Sequence, residues 1–319
     1  MRAFVVSEPG IARIIDDHPV PDPAPGDVRV AIEACGLNFA DLLMIEGTYQ
    51  DTPPIPFVPG MEVCGTVEAL GDGVEGPAPG TRVAVFGGAG GLAQRGCFPA
   101  SRCVPVPDAM PSETAAGFVV AYSTSHLALT HKARLRPGER LVVLGAAGGV
   151  GLTAVELGAR LGAEVVAVAR GQAKLAVAQA AGAHHLVDAD DPDLRGRLRA
   201  LGGADVVYDA VGGDAFAAAF RAMRPGGRIL VIGFASGTVP QVKANHLLVK
   251  NVDLLGFYWG GLLGHAPELV AGSIAELFAM WTQDELSPHV SHVLPLARCD
   301  EALSLLRDRR STGKVVVTP

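Results

Sequence analysis

One short stretch limits what this chain can fold into more than any other. Residues 141–144 form a continuous apolar run, and the glycine-rich segment Gly145-Ala146-Ala147-Gly148-Gly149-Val150-Gly151 follows directly. Val150, Ala154, Leu157 and Leu161 then recur at helical spacing. A buried strand, a tight turn and a helix with one apolar face, in that order, form the first half of a βαβ unit. Glycines at such a turn let backbone N–H groups approach a pyrophosphate at the positive end of the helix. Packing turns use glycine too, but the strand before it and the helix after it point to a nucleotide. The pattern continues with apolar runs at 165–168, 186–187, 206–208, 228–232 and 252–257, with helical stretches between most of them. About six continuous apolar strands alternating with helices predict a parallel sheet covered on both faces.

The end of the second strand indicates which nucleotide. An acid roughly 20 residues past the glycine turn would hold a ribose 2′-hydroxyl. Arg170 stands there instead, 19 residues after Gly151, and Lys174 follows one helical turn later. Two cations without a carboxylate suit a 2′-phosphate and point to NADPH.

The first 110 residues have a different texture. Short strands at 3–6, 28–35, 63–70 and 82–86 are separated by Pro- and Gly-rich turns, which predicts an antiparallel, partly closed β domain. Residues 112–134 suit helix, helical stretches follow Pro267 and cover 300–307, and a last strand is expected at 314–317. That strand needs a host, and the first β domain offers one. The expected organisation is a β domain of residues 1–120 completed by 260–319, with a doubly wound domain of 121–259 between.

With 319 residues, 49% of them hydrophobic, the chain has apolar side chain enough for two cores. Its net charge of −7 and lack of a Lys/Arg cluster argue against nucleic acid. Arg195, Arg197 and Arg199 alternate with apolar residues and read as one solvated helix face. No stretch of about 18 apolar residues offers a membrane span. The N-terminus lacks the apolar core of a signal peptide, so a soluble cytoplasmic protein is expected. Five cysteines, an odd count without a C-x-x-C pair, argue against a disulfide framework.

Taken together, these residues resemble the quinone oxidoreductase branch of the medium-chain dehydrogenase/reductase superfamily, over nearly the whole chain. The resemblance rests on Gly36-Leu37-Asn38-Phe39-Ala40-Asp41-Leu42-Leu43, Gly47-Thr48-Tyr49, Pro59-Gly60-Met61-Glu62-Val63-Cys64-Gly65, the 145–151 turn, Tyr208-Asp209-Ala210-Val211-Gly212-Gly213, Gly233-Phe234-Ala235-Ser236-Gly237 and Gly313-Lys314-Val315-Val316. It implies an α/β protein with a GroES-like catalytic domain and a Rossmann domain, and the cofactor in the cleft between them. It also implies Asn38 and Thr124 near the nicotinamide, and Gly148, Gly149 and Val150 on the pyrophosphate. Arg170 and Lys174 would meet the 2′-phosphate, with Gly233, Phe234 and Ser236 on the far side of the cofactor. Members often carry a Tyr near position 188 on the adenosine side; this chain has Asp188.

The zinc-dependent relatives in that superfamily hold a catalytic metal with a Cys, a His and a third ligand. Asn38 matches the Cys and Met61 the His, and amide and thioether are poor zinc ligands. A zinc-independent reaction is therefore expected. Reducing a simple ketone leaves a localised alkoxide that needs a Lewis acid or a good proton donor. A quinone or another α,β-unsaturated carbonyl instead spreads the charge, so hydrogen-bond donors suffice. The expected function is NADPH-dependent hydride transfer to such a small-molecule acceptor, with Tyr49 as a hydrogen-bond donor to its oxygen and Asn38 helping to hold nicotinamide or substrate. An enoyl-thioester reductase is the alternative enzyme. A low-turnover, cofactor-binding structural or RNA-binding relative is the alternative of another class. The apolar run 252–257 would end the parallel sheet, and its open edge predicts a homodimer joined edge to edge.

Overall fold

The computed structural model describes all 319 residues, Met1–Pro319. The N-terminal part contains β1 (Ala3–Glu8), β2 (Ile11–Ile15), β3 (Asp27–Gly36), α1 (Phe39–Ile45), β4 (Glu62–Leu70), β5 (Arg82–Phe86), β6 (Arg95–Pro99), β7 (Cys103–Pro105) and α2 (Ser112–Ala116). The middle follows with α3 (Val119–Leu127), β8 (Arg140–Leu144), α4 (Gly149–Arg160), β9 (Glu164–Ala169), α5 (Gln172–Ala180), β10 (His185–Asp188), α6 (Leu194–Ala200) and β11 (Ala204–Asp209). Next come α7 (Gly213–Ala222), β12 (Met223–Val231), α8 (Ala244–Lys250), β13 (Asp253–Gly256), α9 (Trp259–His265) and α10 (Pro267–Thr282). The chain closes with β14 (Val290–Pro295), α11 (Cys299–Arg307) and β15 (Lys314–Thr318). Two compact units result: Met1–Val120 with Pro288–Pro319, and Ala121–Ser287.

The first unit is built around β3. Val28, Val30, Ile32 and Ala34 alternate along it and are buried, as period-two geometry requires of a half-buried strand. Both β4 and β6 pair antiparallel with it, and β5 and β7 extend the sheet beyond β4. The final strand β15 completes it: Val316 lies opposite Gly36 and Val317 opposite Cys35. Val315, Val316 and Val317 are all buried, and α11 lays Ala302 and Leu303 into the same core. The expected host for the last strand is therefore the observed one.

The second unit holds a six-stranded parallel sheet in the order β10-β9-β8-β11-β12-β13. This is the 3-2-1-4-5-6 order of the doubly wound Rossmann fold. Its central strand β8 is apolar and buried from Leu141 to Leu144, since helices cover both faces. Val142, Leu144, Val166, Val168, Val207 and Ile229 share one core with Phe216 and Phe220 of α7. Burying each such side chain contributes about 1.5–3 kcal/mol.

Two differences from the sequence reading have physical causes. Residues 112–134 are not one helix: α2 and α3 are separated at Gly117–Phe118, and the stretch ends in a wide turn in which Ala133 N–H donates to Ala128 O. The segment from Trp259 to Ser287 belongs to the second unit, whereas 260 onward was assigned to the β domain. Polar side chains fix it there. Trp259 Nε1 donates to Ser123 Oγ at 2.9 Å, Ser273 Oγ lies 3.1 Å from Ser123 Oγ, and the Ser287 N–H donates to Glu156 Oε1 at 2.7 Å.

Candidate cofactor and substrate site

In the second unit the turn after β8 folds back on itself. Gly145 takes φ +74°, which side chains disfavour, and its N–H and that of Ala146 both donate to Val168 O at the end of β9. A β-carbon on Gly151 would sit 2.1 Å from Gly145 O, so only glycine lets α4 start this close to the turn. Gly148 is the N-cap of α4 and no side chain caps the helix. The Gly148 N–H donates to Gly145 O at 2.9 Å, and the first-turn N–H groups that follow, at the half-exposed Gly149 and Val150, have no partner within the helix. N–H groups at such a helix start are available to an anion. Beneath it, Ser125 Oγ donates to Val150 O at 2.8 Å and meets Tyr208 Oη at 3.0 Å. Thr124, the neighbour of Ser125 in α3, is buried.

Arg170 follows β9 immediately and is exposed, and Lys174 lies in the first turn of α5. Both are thus at the carboxyl edge of the sheet beside the turn. Arg170 already has a partner: its Nε donates to Asp190 Oδ1 at 2.9 Å. The loops after β11 and β12 join the same edge. Val211 reaches the turn, since a β-carbon on Gly145 would lie 2.9 Å from its Cγ2, and Val211 O accepts the Ser236 N–H. Gly233 N–H donates to Asp209 O, and Phe234 stands partly exposed beside Gly212. Asp209 organises these loops by accepting the N–H groups of Val211 and Gly212 on one carboxylate oxygen, and burial raises its pKa. Gly148, Gly149, Val150, Arg170, Lys174, Gly233, Phe234 and Ser236 therefore lie along one edge, whereas Thr124 lies on α3.

In the first unit, Asn38 sits at the N-cap of α1, but its side chain turns away from the helix into a buried network. Its Nδ2 donates to Glu62 Oε2 at 3.1 Å and to Gly36 O at 3.3 Å, and its Oδ1 accepts from Lys314 Nζ at 2.8 Å. Both amide donors are committed. Glu62, fully buried, accepts from Lys314 Nζ at 2.9 Å and from the Val120 N–H at 2.8 Å. Asp41 accepts the N–H groups of Asn38 and Gly60, and burial pushes its carboxyl up to about 6. Met61 packs against the β-unit core. Tyr49 is half-buried and packs against that core as well, and Thr52 Oγ1 donates to its carbonyl. No group of three or more His, Cys, Asp or Glu side chains comes together as a metal site.

Glu62 and Lys314 stand in motifs whose sequence gives no sign that the two meet. They are 252 residues apart, and neither periodicity nor spacing announces such a pair. The Trp259–Ser123–Ser273 contacts and the Asp190 partner of Arg170 were missed for the same reason.

The Glu62–Lys314 pair is 0% and 6% exposed, so removing one partner strands a buried charge. Such a loss costs about 3–5 kcal/mol, whereas neutralising both partners costs less. Lys314→Met should lower the unfolding midpoint in urea sharply, and Lys314→Met with Glu62→Gln should recover a good part of it. A single variant as stable as the parent would contradict the geometry.

The comparisons agree with this architecture. Residues 24–108 match the model of the alcohol dehydrogenase GroES-like domain, and residues 149–276 match the zinc-binding dehydrogenase model. The chain is 36% identical to a quinone oxidoreductase-like protein 2 homolog of Nematostella vectensis over 99% of its own length and 88% of that protein's. Its structure is similar to the quinone oxidoreductase of Thermus thermophilus, solved also as a complex with NADPH, with 35% identity, TM-score 0.86 and full coverage of both chains. A mycobacterial protein solved with NADPH gives 33% identity and TM-score 0.94, again over the whole of both chains. The chain belongs to the medium-chain dehydrogenase/reductase superfamily, in its quinone oxidoreductase branch.

Proposed function

We propose that the protein uses NADPH to reduce a quinone or another α,β-unsaturated carbonyl, without zinc. The observation that carries this reading is the uncapped N-terminus of α4 at the glycine turn, with Arg170 and Lys174 at the end of the adjoining strand. Gly148, Gly149 and Val150 would hold the pyrophosphate, and Arg170 and Lys174 the 2′-phosphate. Gly233, Phe234, Ser236 and Thr124 would line the rest of the cofactor. When bound, nicotinamide supplies the hydride.

The residues of the first unit orient rather than react. The Asn38 amide is fixed by Lys314 and Glu62, so it presents one set geometry. Tyr49 would donate a hydrogen bond to the acceptor oxygen. A phenol has an unperturbed pKa of about 10, so it assists a delocalised anion without dominating the reaction. With Asn38 and Met61 at the ligand positions of zinc-dependent relatives, the protein offers no good metal donor there.

Purified protein should oxidise NADPH fastest with quinones in a panel that also holds enones, simple ketones and enoyl thioesters. Each charge-assisted contact to a phosphate is worth about 1.5–3 kcal/mol. Arg170→Ala with Lys174→Ala should therefore reduce the preference for NADPH over NADH by about tenfold or more. In the same assay Tyr49→Phe should slow quinone reduction by about tenfold, the low end of general-acid assistance, with NADPH affinity retained. An unchanged cofactor preference, or turnover confined to simple ketones, would refute the proposal.

The homodimer belongs to the same reading. Strand β13 ends the six-stranded sheet, Leu254 on it is 39% exposed, and Leu248 and Val249 of the preceding α8 are 76% and 77% exposed. Unpaired edge N–H and C=O groups beside exposed apolar side chains support pairing of two β13 edges about a twofold axis. Light scattering should give twice the chain mass at micromolar concentration; a monomer would exclude this interface.

A further inference from the structure

The acidic run that follows β10 faces the cation that follows β9. Asp188 pairs in register with Ala169, and the Ala189 N–H donates to Ala169 O at 3.0 Å. Asp188 Oδ1 in turn accepts the N–H groups of Asp190 at 3.0 Å and Gly171 at 3.4 Å. The backbone carrying Asp190 is thereby tied to the backbone on either side of Arg170. The neighbouring acids have other tasks. Asp191 accepts Arg197 Nε at 2.8 Å, and Asp193 caps α6 through the Gly196 N–H. Among these carboxylates, Asp190 is the one directed at the Arg170 guanidinium.

We propose that Asp190 is a specificity-determining residue that restrains the 2′-phosphate subsite, so that the protein separates NADPH from NADH less sharply than Arg170 and Lys174 alone would. The inference rests on the reading of those two cations as phosphate ligands. Asp190 takes only Nε of the guanidinium, so the terminal N–H groups stay on the side open to a phosphate. A phosphate monoester there carries nearly two negative charges. One guanidinium would then join it to a fixed carboxylate, within a Debye length of about 8 Å at physiological ionic strength. The two anions repel, and they compete for one cation. A ribose 2′-hydroxyl brings no charge, so NADH escapes both effects.

A carboxylate can also orient an arginine for its ligand, which acts in the opposite direction. The exposure of the pair decides between them. At 59% and 60% exposed, joined by a single oxygen, the pair is too loose for orientation to outweigh repulsion of a dianion.

Fluorescence titration of NADPH and NADH against the parent protein, Asp190→Asn, Arg170→Ala and the double variant tests this. Asp190→Asn should tighten NADPH about fivefold, a modest effect for charges in high dielectric, and leave NADH within about twofold. The gain should shrink in 0.5 M salt, at ~4–5 Å screening, and should disappear in the Arg170→Ala background. NADPH affinity unchanged or weakened by Asp190→Asn overturns the proposal while leaving the cofactor reading intact. Failure of the parent protein to bind NADPH at all removes the cofactor reading and this proposal with it.

Discussion

The nucleotide-binding unit depends on one close approach of backbone to backbone. Because neither Gly145 nor Gly151 carries a β-carbon, α4 starts where its first turn lies over the carboxyl end of β8. The helix packs on the sheet, and its uncapped N-terminus faces outward beside the ends of β9 and β11. A helix end with no side-chain cap is expensive to leave unsatisfied. In the proposed function its N–H groups, half-open at Gly149 and Val150, are the place where an anion would be held. The same edge collects Arg170, Val211, Phe234 and Ser236, so a single packing constraint assembles groups that are far apart in sequence.

The first unit is organised by a different interaction. Glu62 is a carboxylate with no access to water, compensated by an ammonium, an amide and a backbone N–H. A buried charge of this kind is tolerated only when its donors are all in place. It therefore fixes the geometry of Asn38, at the head of α1, through residues from β4 and from the last strand of the chain. A position that would supply a metal ligand in zinc-dependent relatives here becomes part of a closed hydrogen-bond network. In the proposed reaction, an acceptor whose reduced form delocalises charge would need alignment more than a Lewis acid.

Much of the fold was legible because periodicity carries it. Strand β5 was read with its observed bounds, and the central parallel strands were each found to within a few residues, since fully buried strands are continuous apolar runs. Strands β2, β6, β7 and β14 escaped notice. Arg95-Gly96-Cys97-Phe98-Pro99 contains two strand-weakening residues, and β14 is mostly half-exposed. The glycine turn and the two cations proposed for the cofactor were visible because their spacing is local. The partners of Asn38 and Arg170 were not, because they are set by tertiary register. Asn38 was read as a group for nicotinamide or substrate, and the structure adds the fact that its two amide donors are already engaged.

The most direct measurement is a single-turnover reaction of chelator-treated protein with NADPH and a quinone, followed at the nicotinamide absorbance and repeated with NADPH deuterated at the transferred position. Hydride transfer by a zinc-independent site predicts full oxidation of the bound NADPH at the untreated rate, slowed by a primary isotope effect on deuteration. Oxidation that stops after chelation and returns only when zinc is restored would contradict it.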